Sequence, residues 1–116
     1  MKLNNVQIGD KFFGIIYKYS FRFMKGIRIV QCEVTKINPK TVGISFDSDT
    51  RKYPQLMKKE EDYDVLNINK IKLIEDYLLF LETSKFPEYL KEDITKYCNR
   101  ILRKERGLNL VPNGRI

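Results

Sequence analysis

The apolar residues of this chain change period near Lys58, and that change limits the folds open to it. Before Lys58 they alternate every second residue, the spacing of a half-buried strand; after it they recur every three or four residues, the spacing of a helix. Strands followed by helices is the order of an α+β domain, not of the alternating units that build a parallel sheet. A chain of 116 residues is long enough for one domain with a true core. The expected division is a β-rich part over 1–68, two helices over 69–107 and a tail over 108–116.

The first strand starts near Phe13. Its odd positions, Phe13, Ile15, Tyr17, Tyr19, Phe21 and Phe23, read as an inner face, and Lys18, Ser20 and Arg22 as an outer one. Gly14 reads as a bulge or bend, and Lys25-Gly26 as the hairpin turn. The next strand sets Val30, Cys32 and Val34 against Gln31, Glu33 and Thr35. Asn38-Pro39-Lys40-Thr41 suits a tight turn, because proline presets φ at the second position and asparagine favours the first. Val42, Ile44 and Phe46 alternate in the strand that follows. Residues 47–50 read as another turn, Arg51–Tyr53 as a short strand interrupted by Pro54, and Val65–Ile68 as a closing strand. This meander of four or five strands is similar in pattern to a small, partly closed SH3-like barrel.

The helical part begins at Lys70. Ile71, Ile74, Leu78 and Leu81 lie on one face, widened by Leu73, Tyr77 and Phe80, and Asn69 is the expected N-cap. After a break at 83–87, a second helix over about 87–106 carries Leu90, Ile94, Tyr97, Cys98, Ile101 and Leu102 on its apolar stripe. Pro87 suits its first position, Glu88, Glu92 and Asp93 its positive end, and Arg100, Arg103, Lys104 and Arg106 its negative end. Gly107 suits the C′ position. In the tail, Leu108, Leu110 and Val111 are candidates to dock on the core.

Several chemistries are not expected. The chain has no histidine, which removes imidazole catalysis and imidazole metal ligands. Two isolated cysteines cannot build a structural zinc site. Asp47-Ser48-Asp49 has the spacing of a magnesium-binding strand end, but a turn is the expected reading, since Asp and Ser bond their own backbone. Glu60, Glu61, Asp62 and Asp64 lack the spacing of a calcium loop and read as a solvated connector. The glycines are dispersed, with no phosphate-cradling motif. No catalytic residue, metal ligand or cofactor is assigned, and the chain is not expected to be an enzyme. No secretory signal or bilayer-spanning run is recognisable, so a cytoplasmic protein with no membrane partner is expected. In that compartment Cys32 and Cys98 read as free, buried thiols, with a Cys32–Cys98 disulfide as the alternative. The absence of alanine beside 15 Lys, 13 Ile and 8 Asn points to AT-rich coding, as in a low-GC bacterium or its phage.

Charge supplies the functional lead. Residues 1–58 hold eleven Lys/Arg and four Asp/Glu, a net +7, whereas residues 59–116 hold eleven of each. Within the first half, Lys18, Arg22, Lys25 and Arg28 are interleaved with aromatic rings, and Arg51 and Lys52 follow. That is the footprint of a surface for nucleic acid or another polyanion. Phe12 and Tyr53 are the rings singled out to stack on bases. The competing account makes the odd-position rings core and the lysines a device that blunts an edge strand. Lys96, Arg100 and Arg103 form a second basic face, one that would extend the first if the helix lies beside it.

Two functions remain open. One is a DNA- or RNA-binding module, or one that engages a nucleoprotein, through a basic sheet face. The other is a phage or mobile-element accessory protein that binds and inhibits or redirects a host protein such as a nuclease or a defence complex. The charge of +7 disfavours an acidic DNA mimic. Oligomeric state is not legible at this stage.

Overall fold

In a computed structural model the described residues are 1–47 and 55–107. They form five strands and two helices in the expected order: β1 (Lys11–Ser20), β2 (Phe23–Ile37), β3 (Thr41–Phe46), β4 (Gln55–Lys58), β5 (Leu66–Asn67), α1 (Lys70–Thr83) and α2 (Glu88–Glu105). The strands make one antiparallel sheet in the order β4-β3-β2-β1-β5. The sheet is open, with β4 and β5 at its two edges, so the meander does not close into a barrel. β5 is only two residues long and pairs with Phe13 and Gly14 alone, too little to bring the edges together.

The core lies on both faces of the central pair β1–β2. One face carries Phe12, Val30, Cys32, Val34, Val42, Ile44, Phe46, Met57 and Leu66, covered by Leu3 and by Tyr63 and Val65 of the connector. The other carries Ile15 and Ile27, covered by the helices through Leu73, Ile74, Tyr77, Leu81, Leu90, Ile94, Cys98 and Leu102. Burial on both faces explains why Lys11–Ile16 contains Phe, Phe, Ile and Ile in succession instead of a clean alternation.

The hairpin over 28–46 forms as the pattern predicts. Val34 faces Ile44 and Cys32 faces Phe46, and all four are buried. The Asn38 amide N–H donates to the Thr41 carbonyl at 2.9 Å, and its Nδ2 donates to Thr41 Oγ1 at 3.0 Å. Gly14 is not a bulge. It sits in regular register between Val30 and Leu66, where an added Cβ would lie 2.9 Å from Cys32 Sγ and 3.0 Å from Leu66 Cδ2. Close approach of those side chains requires glycine there. β4 starts at Gln55; the expected strand at Arg51–Tyr53 and the turn at 48–50 lie outside the described residues, as does the tail.

Both helices follow their sequence signals. Asn69 Oδ1 accepts from the Lys72 amide at 3.1 Å, capping α1, and Ser84 Oγ donates to the Leu81 carbonyl at 2.8 Å at its end. Pro87 occupies the N-cap of α2, one residue before the expected position, and Gly107 takes φ +69 just past its end. Ion pairs from Lys70 to Glu105 at 3.3 Å and from Arg106 to Glu75 tie the helices together. Arg106, expected to serve the helix dipole, also has this interhelical partner. Cys32 and Cys98 are free and belong to the two opposite core faces, which rules out the disulfide alternative. Among the described residues no helix is long and apolar enough to cross a membrane.

Candidate functional site

β1 and β2 continue past the core that covers their centre. Tyr17↔Ile27 is the last pair with a fully buried apolar side chain, yet the ladder runs on through Lys18↔Gly26, Tyr19↔Met24 and Ser20↔Phe23. Phe21 at the apex lies four residues beyond Tyr17, about 13 Å at the rise of a strand. The result is a two-stranded arm.

The turn of this arm is Phe21–Arg22, not Lys25-Gly26. Core pairs such as Phe12↔Cys32 and Ile15↔Ile29 set a register centred on Arg22, and a one-residue shift after Lys18 moves the centre to between Phe21 and Arg22. Lys25 becomes the extra residue of a bulge, since Lys18 faces Gly26 while Tyr19 faces Met24. Phe21 therefore takes φ +58, the only non-glycine residue with positive φ among those described. Tight hairpin turns normally put Gly or Asn at such a position.

Four basic residues of the expected site stand on or beside the arm. Lys18, Arg22, Lys25 and Arg28 are exposed, and none has an ion-pair partner among the described residues. Arg28 faces Ile16, so it lies on the sheet face turned away from the helices, as does Lys18 opposite Gly26. Arg51 and Lys52, and the candidate ring Tyr53, lie outside the described residues. Lys96, Arg100 and Arg103 are exposed on α2. That helix covers the opposite face of the sheet, with Tyr97 Oη accepting the Ile29 amide at 2.9 Å. Lys18 and Arg28 therefore lie across the sheet from the helix that carries Lys96, Arg100 and Arg103.

The rings change places relative to expectation. Phe12 is 1% exposed, packed inside the face opposite the helices, so it cannot stack on a ligand. Ile15 is core and Phe13 half-buried, as expected of the odd face. Tyr19, Phe21 and Phe23 are not: they are 65%, 99% and 70% exposed. The cause is the reach of the covering layers: on the Phe23 side Ile16 is the last β1 residue packed against the core, and on the Tyr19 side the helices reach little further. Tyr77 of α1 meets Tyr17 with ring centroids 6.5 Å apart, and Met24 is the last arm residue packed against the helix-side core. The sequence did hold a sign of this: between Tyr17 and Ile27 there is no Val, Ile or Leu.

Beside the base of the arm, at the β5 edge between the connector and α1, lies an open cleft of about 510 Å³ bounded by Tyr17, Tyr63, Tyr77 and Phe80 and by Asp62, Asp64 and Asp76. The Asp62 carboxyl is held below its usual range, chiefly by a hydrogen bond from the Met1 ammonium at 2.7 Å. Burial, then the Tyr17 hydroxyl, raises the Tyr77 phenol. Two of the cleft's three carboxylates are paired, Asp62 with the Met1 ammonium and Asp76 with Lys72 at 3.0 Å. Burial also pushes the Cys32 thiol up to about 12 and the Cys98 thiol up to about 11, leaving both protonated and poor nucleophiles at neutral pH. No group of three or more His, Cys, Asp or Glu among the described residues is placed to hold a metal ion. No family model, curated protein or solved structure matches this chain.

Proposed function

We propose that this protein binds nucleic acid through the β1–β2 arm, acting by surface contact and not by catalysis. The observation that carries this reading is the arm itself. It presents Lys18, Arg22, Lys25 and Arg28 free of ion pairs among the described residues, with three exposed rings between them. A core does not need these groups, and water would be better served without the rings. Cations on a narrow projecting ribbon suit the phosphate backbone, which supplies affinity without reading sequence. The backbone approaches from the face bearing Lys18 and Arg28, because the helices occupy the other. The second basic group on α2 is outside this interface.

Fluorescence anisotropy with labelled single- and double-stranded DNA and RNA tests the reading. Four phosphate contacts give a slope of about −3.6 for log affinity against log salt. The double variant Lys18→Glu/Arg22→Glu is expected to lose binding to every nucleic acid while keeping its melting temperature. Arg100→Glu/Arg103→Glu is expected to bind as the parent does. No binding by the parent protein at about 50 mM salt, where phosphate-driven affinity is strong, would overturn the reading and redirect the arm to a protein partner with an acidic surface.

A further inference from the structure

We infer that Phe21 is a wedge that enters between base pairs of a duplex and bends it, an inference that rests on the nucleic-acid reading above. Three observations lead there. The first is exposure: Phe21 is 99% exposed at the apex, so its ring contributes nothing to the core. The second is backbone conformation. At φ +58 the site suits glycine, and a bulky side chain there is strained. The fold thus carries the strain and the hydration of a large apolar ring at one point, and that ring has no structural role.

The third is the arrangement of the neighbouring rings. Tyr19 faces Met24 on the helix side of the ribbon, while Phe23 faces Ser20 on the other side. The exposed rings therefore do not share one face. A single strand is held on aromatics by a platform on which successive bases stack. Rings distributed over two faces and an apex do not make such a platform. A ribbon with cations along its length and one apolar ring at its tip fits a groove of a duplex instead. Apolar side chains inserted at a base step unstack it and bend the helix by about 20–90°. Lys18, Lys25 and Arg28 would hold the flanking backbone while Phe21 occupies the step. Flexible pyrimidine–purine steps such as TA unstack most readily, so they are the preferred point of entry.

The experiment uses a duplex of about 25 base pairs with a central TA step, 2-aminopurine at the step, and a donor and acceptor dye at its ends. The parent protein is expected to brighten the 2-aminopurine several-fold and to shorten the end-to-end distance. Phe21→Ala is expected to keep the parent's salt slope, since phosphate contacts set it, and to bind more weakly without the inserted ring, so the two are compared at saturating protein. It is expected to produce neither signal, and Phe21→Trp is expected to restore both. Bending by Phe21→Ala equal to that of the parent would overturn the wedge and leave the nucleic-acid reading intact. So would tight binding by the parent without bending, or binding to single strands alone. Failure of the parent to bind any nucleic acid would overturn both; where the parent binds, Lys18→Glu/Arg22→Glu is expected to lose affinity as well as bending, which separates the phosphate contacts from the wedge. Melting of Phe21→Ala at the parent's temperature excludes misfolding as the cause.

Discussion

The centre and the tip of the β1–β2 hairpin are built from the same kind of residue in the same ladder, yet they have opposite environments. At the centre Phe12 is 1% exposed, under the connector on one face of the sheet, while Ile15 is covered by the helices on the other. At the tip Phe21 is 99% exposed, with nothing above or below it. Strand pairing alone does not bury a ring; a second layer does, and here that layer ends near Tyr17. The hairpin therefore has a structural half and a half free to meet a ligand. The sequence marks the boundary by replacing Val, Ile and Leu with Lys, Arg, Tyr and Phe between Tyr17 and Ile27.

The sharpest way to break this comparison is to truncate one phenylalanine in each half. Phe12→Ala should cost about 3–5 kcal/mol, the usual loss for a buried aromatic. Phe21→Ala should stay within about 0.5 kcal/mol of the parent, as surface changes do. Urea denaturation checks both, and similar losses would mean the tip is packed. Gly14→Ala comes next. Its methyl group would meet Cys32 Sγ at 2.9 Å and Leu66 Cδ2 at 3.0 Å, so overpacking should cost about 1–3 kcal/mol. A neutral outcome would show that those side chains move aside freely.

Tyr97→Phe should cost about 1 kcal/mol, because it strands the Ile29 amide beyond the end of β3. Faster hydrogen exchange at Ile29 by NMR would locate the effect. Phe21→Gly is the smallest change and has the opposite sign. Relief of the positive φ exceeds the added freedom of glycine in the unfolded chain, for a net gain of about 0.5 kcal/mol. A slightly higher melting temperature together with lost duplex bending would show that stability was given up at the tip for the ligand. A lower one would mean that the ring holds the turn.

Much of the fold was legible because its signals are local. Asn69 as a cap, Gly107 after α2 and the turn at Asn38–Thr41 depend on neighbours within a few residues, and each is where the sequence placed it. Two errors in the β1–β2 hairpin share a non-local cause. Lys25-Gly26 has the composition of a turn, but the register imposed by Phe12↔Cys32 and Ile15↔Ile29 overrides it and leaves a bulge. Gly14 reads as a bulge or bend in the strand, whereas its reason is the side chains of Cys32, Leu66 and Phe46. The candidate site was half legible. Lys18, Arg22, Lys25 and Arg28 stand together as the charge pattern implied. Lys96, Arg100 and Arg103 ride on a helix that packs across the sheet from Lys18 and Arg28, and the chain's order does not say on which face of the sheet a helix will settle. Phe12 was taken for a surface ring because alternation cannot show that a strand is buried on both sides.

The sequence by itself determined the element types, their order and the concentration of positive charge in the first half, because period, caps and charge are properties of residues and near neighbours. Tertiary structure alone decided that the sheet stays open, that the helices cover only the base of the first hairpin, and that Phe21 ends at a bare apex. Those outcomes depend on how far one layer extends over another, which no local run of residues encodes.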